Sequence, residues 1–317
     1  MDTELHTAAE PPPRPMAALW RRWLAFLIDW IILSLGGAIA GLVLFEPFAR
    51  MGLWCRVLGF AIAVIYFGIF DSGWGGAGSP GKKVLSIRVV DGAGRVIAVW
   101  RALLRAAVIC VPVLLNGMLL FPAEAPLGAR ALEGLVGGLL LASLYLLVFN
   151  AGTRQGLHDL ATGTFVIRGS ASREAMAGYT FWRPHLAIAS VFLVVAVPIS
   201  LAGLPVFLRF TPAMNHQVLT PPVGGQVAIL GAWMNMNPAT GPARHCTSMK
   251  VLLGGSGVGI DDPQLARLVA MRLAPRAHCH LEGPLPVRMQ YGFDLGFASG
   301  VGFRDLVLDE AGLTRSP

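Results

Sequence analysis

Apolar runs alternate with short polar connections along most of the first two thirds of this chain. At 1.5 Å per residue, crossing a bilayer takes about 20 residues. Five segments reach or approach that length, roughly Trp23–Phe45, Leu53–Phe70, Ala102–Phe121, Leu132–Phe149 and Leu186–Leu208. The second and fourth are short, and Pro112 and Pro198 are expected to kink the third and fifth. After Leu208 the pattern shortens. "GQVAILGAW", "SMKVLLGG", "PVRMQYGF" and "FRDLVLD" read as strands, and "DDPQLARLVAMRLAP" reads as a helix with Pro263 in its first turn.

Composition supports a membrane protein. The 317 residues are 55% hydrophobic and 14% charged, with mean hydropathy +0.62, whereas soluble domains carry roughly 25% charged residues. The formal charge of +7 would suit nucleic acid. However, the basic residues flank apolar runs and no nucleic-acid-binding motif is present, so nucleic acid is excluded as a partner. The bilayer itself is the expected partner.

Lysine and arginine set the orientation. The connections sharing a side with the N-terminus hold thirteen of them, against three on the other side. The N-terminus is therefore expected in the cytoplasm, and an odd number of spans places the tail outside. "RRWLAFL" and the later Ala38-Ile39-Ala40 resemble a cleavable export signal. An aspartate inside the run and apolar sequence continuing to Phe45 argue against cleavage.

That aspartate, Asp29, is the main anomaly, because a carboxylate at mid-membrane costs about 2.5–3.5 kcal/mol. Arg22 lies seven residues earlier on the same helical face, about 10.5 Å along the axis. Either Asp29 has a function in a pathway, or it makes an interhelical hydrogen bond. The loop "GWGGAGSPGKKVLSIRVVDGAGR" formally contains G-x-x-x-x-G-K at Gly76–Lys82, but Lys83 replaces the Ser/Thr and the strand–loop–helix setting is missing. A β-hairpin at the membrane surface is the plainer expectation, with Thr164–Arg168 able to add a strand. Lys82, Lys83, Arg101, Arg105 and His158 complete the charged set on this cytoplasmic face.

"RRWLAFLIDWIIL", "SPGKKVLSIRVVDGAGR", "RALLR" and "GLHDLATGTFVI" together resemble the RDD family of membrane proteins, over about Met16–Arg168. The resemblance implies that Arg22 is the family arginine, Asp29 its first aspartate and Asp159 the second, with Asp71 a rival for the latter. It also carries a suggestion of transport.

The chain is thus expected to be an α-helical integral membrane protein with five spans, a cytoplasmic β-hairpin and a C-terminal extracytoplasmic α+β domain. Residues 1–15 read as a disordered N-terminus, 16–168 as the RDD-type module, 169–185 as a linker, 186–208 as the last span and 209–317 as the exported domain. Cys246 and Cys279 are expected to form a disulfide in an oxidising compartment. The alternative is a metal site with His245, His278 and His280, but its spacing fits no familiar pattern. No cofactor, resident metal or catalysis is expected.

The leading function is transport of a proton, small cation or polar solute in the bacterial inner membrane. Asp29 would bind the ion, Arg22 would set its charge, and Asp159 with Arg101 or Arg105 would gate the cytoplasmic mouth. A homo-oligomer would enlarge so small a bundle. The alternative is a scaffold presenting the tail to an envelope partner, whose identity the sequence does not give.

Overall fold

The four-residue spacing of small and apolar side chains dictates how the first helices meet. In α1 (Leu19–Val43) the buried stripe is Ala25, Asp29, Leu33, Gly37 and Gly41. In α3 (Trp54–Asp71) it includes Cys55, Gly59, Ala63, Phe67 and Asp71, and in α5 (Val99–Leu114) Ala102, Arg105, Ala106, Cys110 and Leu114. Small residues at such positions let helices approach closely where lipid offers no hydrophobic drive. A short helix, α2 (Phe45–Met51), joins α1 to α3. The second pair is α6 (Leu127–Phe149) with α8 (Pro184–Phe210), tied by Ser200 Oγ donating to the Arg130 carbonyl at 2.8 Å and by a 2.9 Å bond between Tyr145 Oη and His185 Nδ1.

This computed structural model describes residues 16–52, 54–115, 127–170, 181–210, 216–218, 228–236, 245–254, 260–277 and 283–308. Among them four helical segments are long and apolar enough to cross a membrane: Leu19–Val43, Trp54–Asp71, Arg130–Phe149 and Pro184–Ala202. The expected third span, Ala102–Phe121, lies outside the described residues from position 116 on; its described part is the 16-residue α5, which starts at Val99, carries Pro112 inside and rises about 24 Å. Exposed tryptophans Trp20, Trp74, Trp100 and Trp182 gather at one end of the bundle, as in the aromatic belts of membrane proteins, with Trp54 at the other.

The surface hairpin expected after the second span is replaced by a longer-range pairing. A five-residue helix, α4 (Pro80–Val84), leads into β1 (Ile87–Asp91). The six-residue α7 (Leu157–Thr162) leads into β2 (Thr164–Arg168), and β1 pairs antiparallel with β2. The "DGAGR" turn closes on the Asp91 carboxylate, which accepts from the Ala93 and Arg95 amides at 2.8 and 2.9 Å. It brings back only a single bridge, between Val90 and Val96. Burial on both faces of Val89 and Val90 favours a partner anchored by α7 over a free hairpin.

The C-terminal part is a five-stranded sheet in the order β3 (His216–Val218), β4 (Ala228–Met236), β5 (Cys246–Gly254), β6 (Leu285–Asp294) and β7 (Ser299–Leu308). All neighbours are antiparallel except β5 and β6, whose parallel crossover carries α9 (Pro263–Ala277). Leu265, Ala266, Val269 and Ala270 of α9 cover Met249, Val251, Val287 and Met289 of the sheet. Cys246 is buried at the start of β5, while Cys279 and the nearby His278 and His280 lie outside the described residues.

β6 serves two cores. Its alternating Leu285, Val287 and Met289 face α9, whereas Phe293 continues into the membrane bundle. The turn after it, carrying Leu295 and Phe297, is buried with Phe48, Cys55, Ala63 and Leu114.

Candidate functional site

The charged residues of the tryptophan-rich end converge on one buried cluster. Asp159, at the third position of α7, accepts from the Gly156 amide at 3.3 Å and from Thr164 Oγ1 at 3.2 Å. Arg22 Nη1 reaches its Oδ2 at 3.1 Å, and Arg105 meets its Oδ1 through Nε at 3.0 Å and Nη2 at 2.9 Å. Arg105 also donates from Nη1 to Asp71 Oδ2 at 2.7 Å, and Lys82 Nζ holds both Asp71 oxygens at 2.8 and 2.9 Å. The result is an unbroken chain, Arg22–Asp159–Arg105–Asp71–Lys82, that ties α1, α7, α5, α3 and α4 together.

Asp29 stands beside this chain with different partners. Its carboxylate accepts from Tyr66 Oη at 2.9 Å, Ser79 Oγ at 2.5 Å and the Gly81 amide at 2.9 Å. Asp29 lies six residues beyond Trp23, so Ser79 and Gly81 sit about 9 Å past the tryptophan level. The Ser79–Leu85 segment therefore re-enters the bundle. Backbone amides left free at the start of a helix at that depth must be satisfied by protein, and Asp29 accepts that of Gly81. Gly81 is required there, because a Cβ would strike the Ala25 carbonyl of α1. Leu85 then returns to the surface, its carbonyl accepting from Arg21 Nη1 at 2.9 Å.

The remaining predicted residues have distinct places. Arg101 donates to the Thr162 and Gly163 carbonyls at 2.6 and 2.8 Å and so closes the end of α7. Lys83 is exposed, its ammonium 5.7 Å from the Phe70 ring. His158 is buried, with Nε2 3.5 Å from Asp159 Oδ2. Tyr66, Ser79 and Thr164 were not singled out in the sequence. Only Ser79, preceding Pro80 as a helix-start signature, carried a local signal. Among the described residues no group of three or more His, Cys, Asp and Glu side chains could hold a metal ion.

Residues 16–163 match the sequence profile of the RDD family. This part of the chain is an RDD-family module. No curated protein and no solved structure matches the chain. Within the RDD module Arg22 faces Asp159, and Asp29 faces the re-entrant segment. Arg22, Lys82 and Arg105 balance Asp29, Asp71 and Asp159, so the cluster is neutral with His158 uncharged.

Burial pushes the His158 imidazole down to about 3, with Arg105, Arg22 and Lys82 acting the same way against Asp159. Burial alone would raise the Asp159 carboxyl, but the positive groups His158, Arg105 and Arg22 outweigh it and hold it well below the usual carboxylate range. Because His158 is neutral near pH 7, the two arginines carry that effect.

Both shifts predict acid sensitivity. The folded His158 pKa of about 3 lies below its ordinary 6.5, so the unfolded chain binds the extra proton in between. Stability then falls as pH drops through that window. Asp159 acts in the same direction below the ordinary carboxylate pKa. Unfolding of the purified protein in micelles is expected to be level above pH 7 and progressively easier below about 6.5. In His158→Gln the decline between about 6.5 and the carboxylate range should flatten; an unchanged slope would assign it to other groups.

Proposed function

We propose that the protein is a non-catalytic membrane scaffold, in which the RDD module anchors and orients the C-terminal domain for an extracytoplasmic partner. The observation that carries this reading is the β6–β7 turn buried among α1, α2, α3 and α5. Asp294 Oδ2 pairs with Arg56 at 3.3 Å, and Tyr291 donates to Glu46 at 2.8 Å, so the domain is held at the bundle's far end by polar ties as well. The bundle is filled from both ends, by Ser79–Leu85 at one and by the turn at the other. That arrangement suits a rigid mount better than an open path. The excess of basic residues at the tryptophan-rich end supports a cytoplasmic side for the ionic cluster, and counting α5 as a fifth crossing beside the four long apolar helices supports an extracytoplasmic domain on an inner membrane.

A second reading, transport, is favoured by a cavity that Asp29 lines together with Arg22 and Lys82. A cation bound at Asp29 would have to displace Tyr66, Ser79 and the Gly81 amide. Vesicles containing the protein, loaded with a proton gradient and given Na⁺, K⁺ or Li⁺, separate the two. The scaffold predicts no cation-induced collapse for the folded, inserted wild type. A collapse that Asp29→Asn abolishes would replace the scaffold with a proton- or cation-coupled carrier.

A further inference from the structure

Between α1, α5 and α6 lies a cavity of about 290 Å³. Phe26, Ile109, Val113, Leu140 and Leu144 form apolar walls, and the polar end carries Arg22, Lys82, Arg105 and His158 together with the Asp29 carboxylate, with Ser143 on the α6 side. Ser143 and His158 are more than nine-tenths buried. Ser143 Oγ, Arg22 Nε and His158 Nδ1 have no hydrogen-bond partner among the described residues. A buried polar group left in that condition costs about 1–3 kcal/mol, and three around one cavity are unusual in a settled interior. Trp23 lines the cavity and is also 46% exposed, so the space borders the surface that lipid would occupy.

These features specify the occupant. Arg22 Nε can only donate, and the Ser143 hydroxyl can donate beside it, so the head group must bring acceptor oxygens. The walls require hydrocarbon, which a small polar solute would not supply. The walls line one continuous space, which a single hydrocarbon chain can occupy. We propose that this cavity binds the carboxylate end of a free long-chain fatty acid, one oxygen on Arg22 and one on Ser143, with the chain running along α5 and α6 toward Val113 and Leu140 and its end leaving into lipid. The site is separate from the scaffold reading and stands or falls without it.

The test uses the full chain in uncharged phosphatidylcholine nanodiscs with a diazirine-bearing palmitate, followed by irradiation and peptide mass spectrometry. Labelling is expected within residues 105–113 and 140–147, suppressed by palmitate and not by hexadecanol. Leu144→Trp, which fills the cavity, should abolish it, and Ser143→Ala should weaken apparent affinity about fivefold for one lost hydrogen bond. Val113→Trp fills the space from the opposite wall and serves if Leu144→Trp does not fold. Three results would overturn the proposal. One is label spread over outer-face residues such as Leu42 and Val194 without competition; another is hexadecanol competing as well as palmitate; the third is undiminished labelling in a folded filled variant.

Discussion

Asp159→Ala is expected to destabilise the protein by about 3–5 kcal/mol, the range for removing one partner of a buried ion pair. The change leaves Arg22 and Arg105 facing each other in a site almost closed to solvent, their side chains 9% and 6% exposed. It also strips the acceptor from the Gly156 amide at the start of α7 and from Thr164 at the start of β2. Arg101→Ala is the matched control. It removes only two bonds to carbonyls at the end of α7, one of them exposed, and should cost about 1–2 kcal/mol. Both are measured by denaturant or thermal unfolding of the purified protein in the same detergent. A loss below about 1 kcal/mol for Asp159→Ala would mean that water already compensates the arginines. A double-mutant cycle with Arg105→Met refines the result, since that side chain also holds Asp71 and the coupling should exceed a single exposed pair.

The neutrality of this cluster bears on how the module uses its charges. A cation path needs a carboxylate with spare acceptor capacity, yet Asp159, Asp71 and Asp29 each accept at least three hydrogen bonds or ion pairs. What the arrangement does supply is mechanical coupling: five elements separated by up to 137 residues are pinned to one point. A net charge of zero lets that point sit near the membrane boundary at limited electrostatic cost.

The sequence carried the helices and the anomaly at Asp29 in plain view, because both are local properties of a twenty-residue run. It could not carry the partners. Arg22 looked toward Asp29 on the same helical face, but seven residues is a poor separation for a pair, and tertiary packing turned the guanidinium to Asp159 instead. "SPGKK" read as an incomplete phosphate loop, since nothing local reveals that its serine and glycine amide answer an aspartate about 50 residues upstream. The β1–β2 pairing was legible only in part: Thr164–Arg168 read as a strand able to join, but a good turn sequence favours a local hairpin, and the α7 anchor that decides otherwise is distant in the chain. One signal was legible and unused. "GFDLGFASG" places Phe293, Leu295 and Phe297 in and beside a turn, where exposed segments are ordinarily polar. Bulky apolar residues there announce a second packing surface.

That surface gives the other large expected effect. Phe293→Ala should destabilise the assembled protein by about 3–5 kcal/mol, as for a buried phenylalanine truncated in a core. Phe293 makes edge contacts with Phe45 and Phe48 at 5.7 and 5.4 Å and lies over Gly41 of α1. The turn beyond it fits only because α3 has Gly59, where a Cβ would collide with the Leu295 carbonyl. Gly59→Val is therefore expected to expel the turn while leaving the α9-covered core of the sheet intact, since that core is a cluster separate from the one the turn joins. Limited proteolysis reads the two parts separately. In wild type the β6–β7 turn should resist cleavage as strongly as the sheet. In Gly59→Val and Phe293→Ala the turn should become the first site cut, with the sheet core still protected. If the sheet were lost together with the turn, the domain would depend on the bundle for its fold. If the turn stayed protected in Gly59→Val, the close approach to α3 would not be what seats it. A turn cut first over an intact sheet would establish that the contact is a separable mount, the property the scaffold requires.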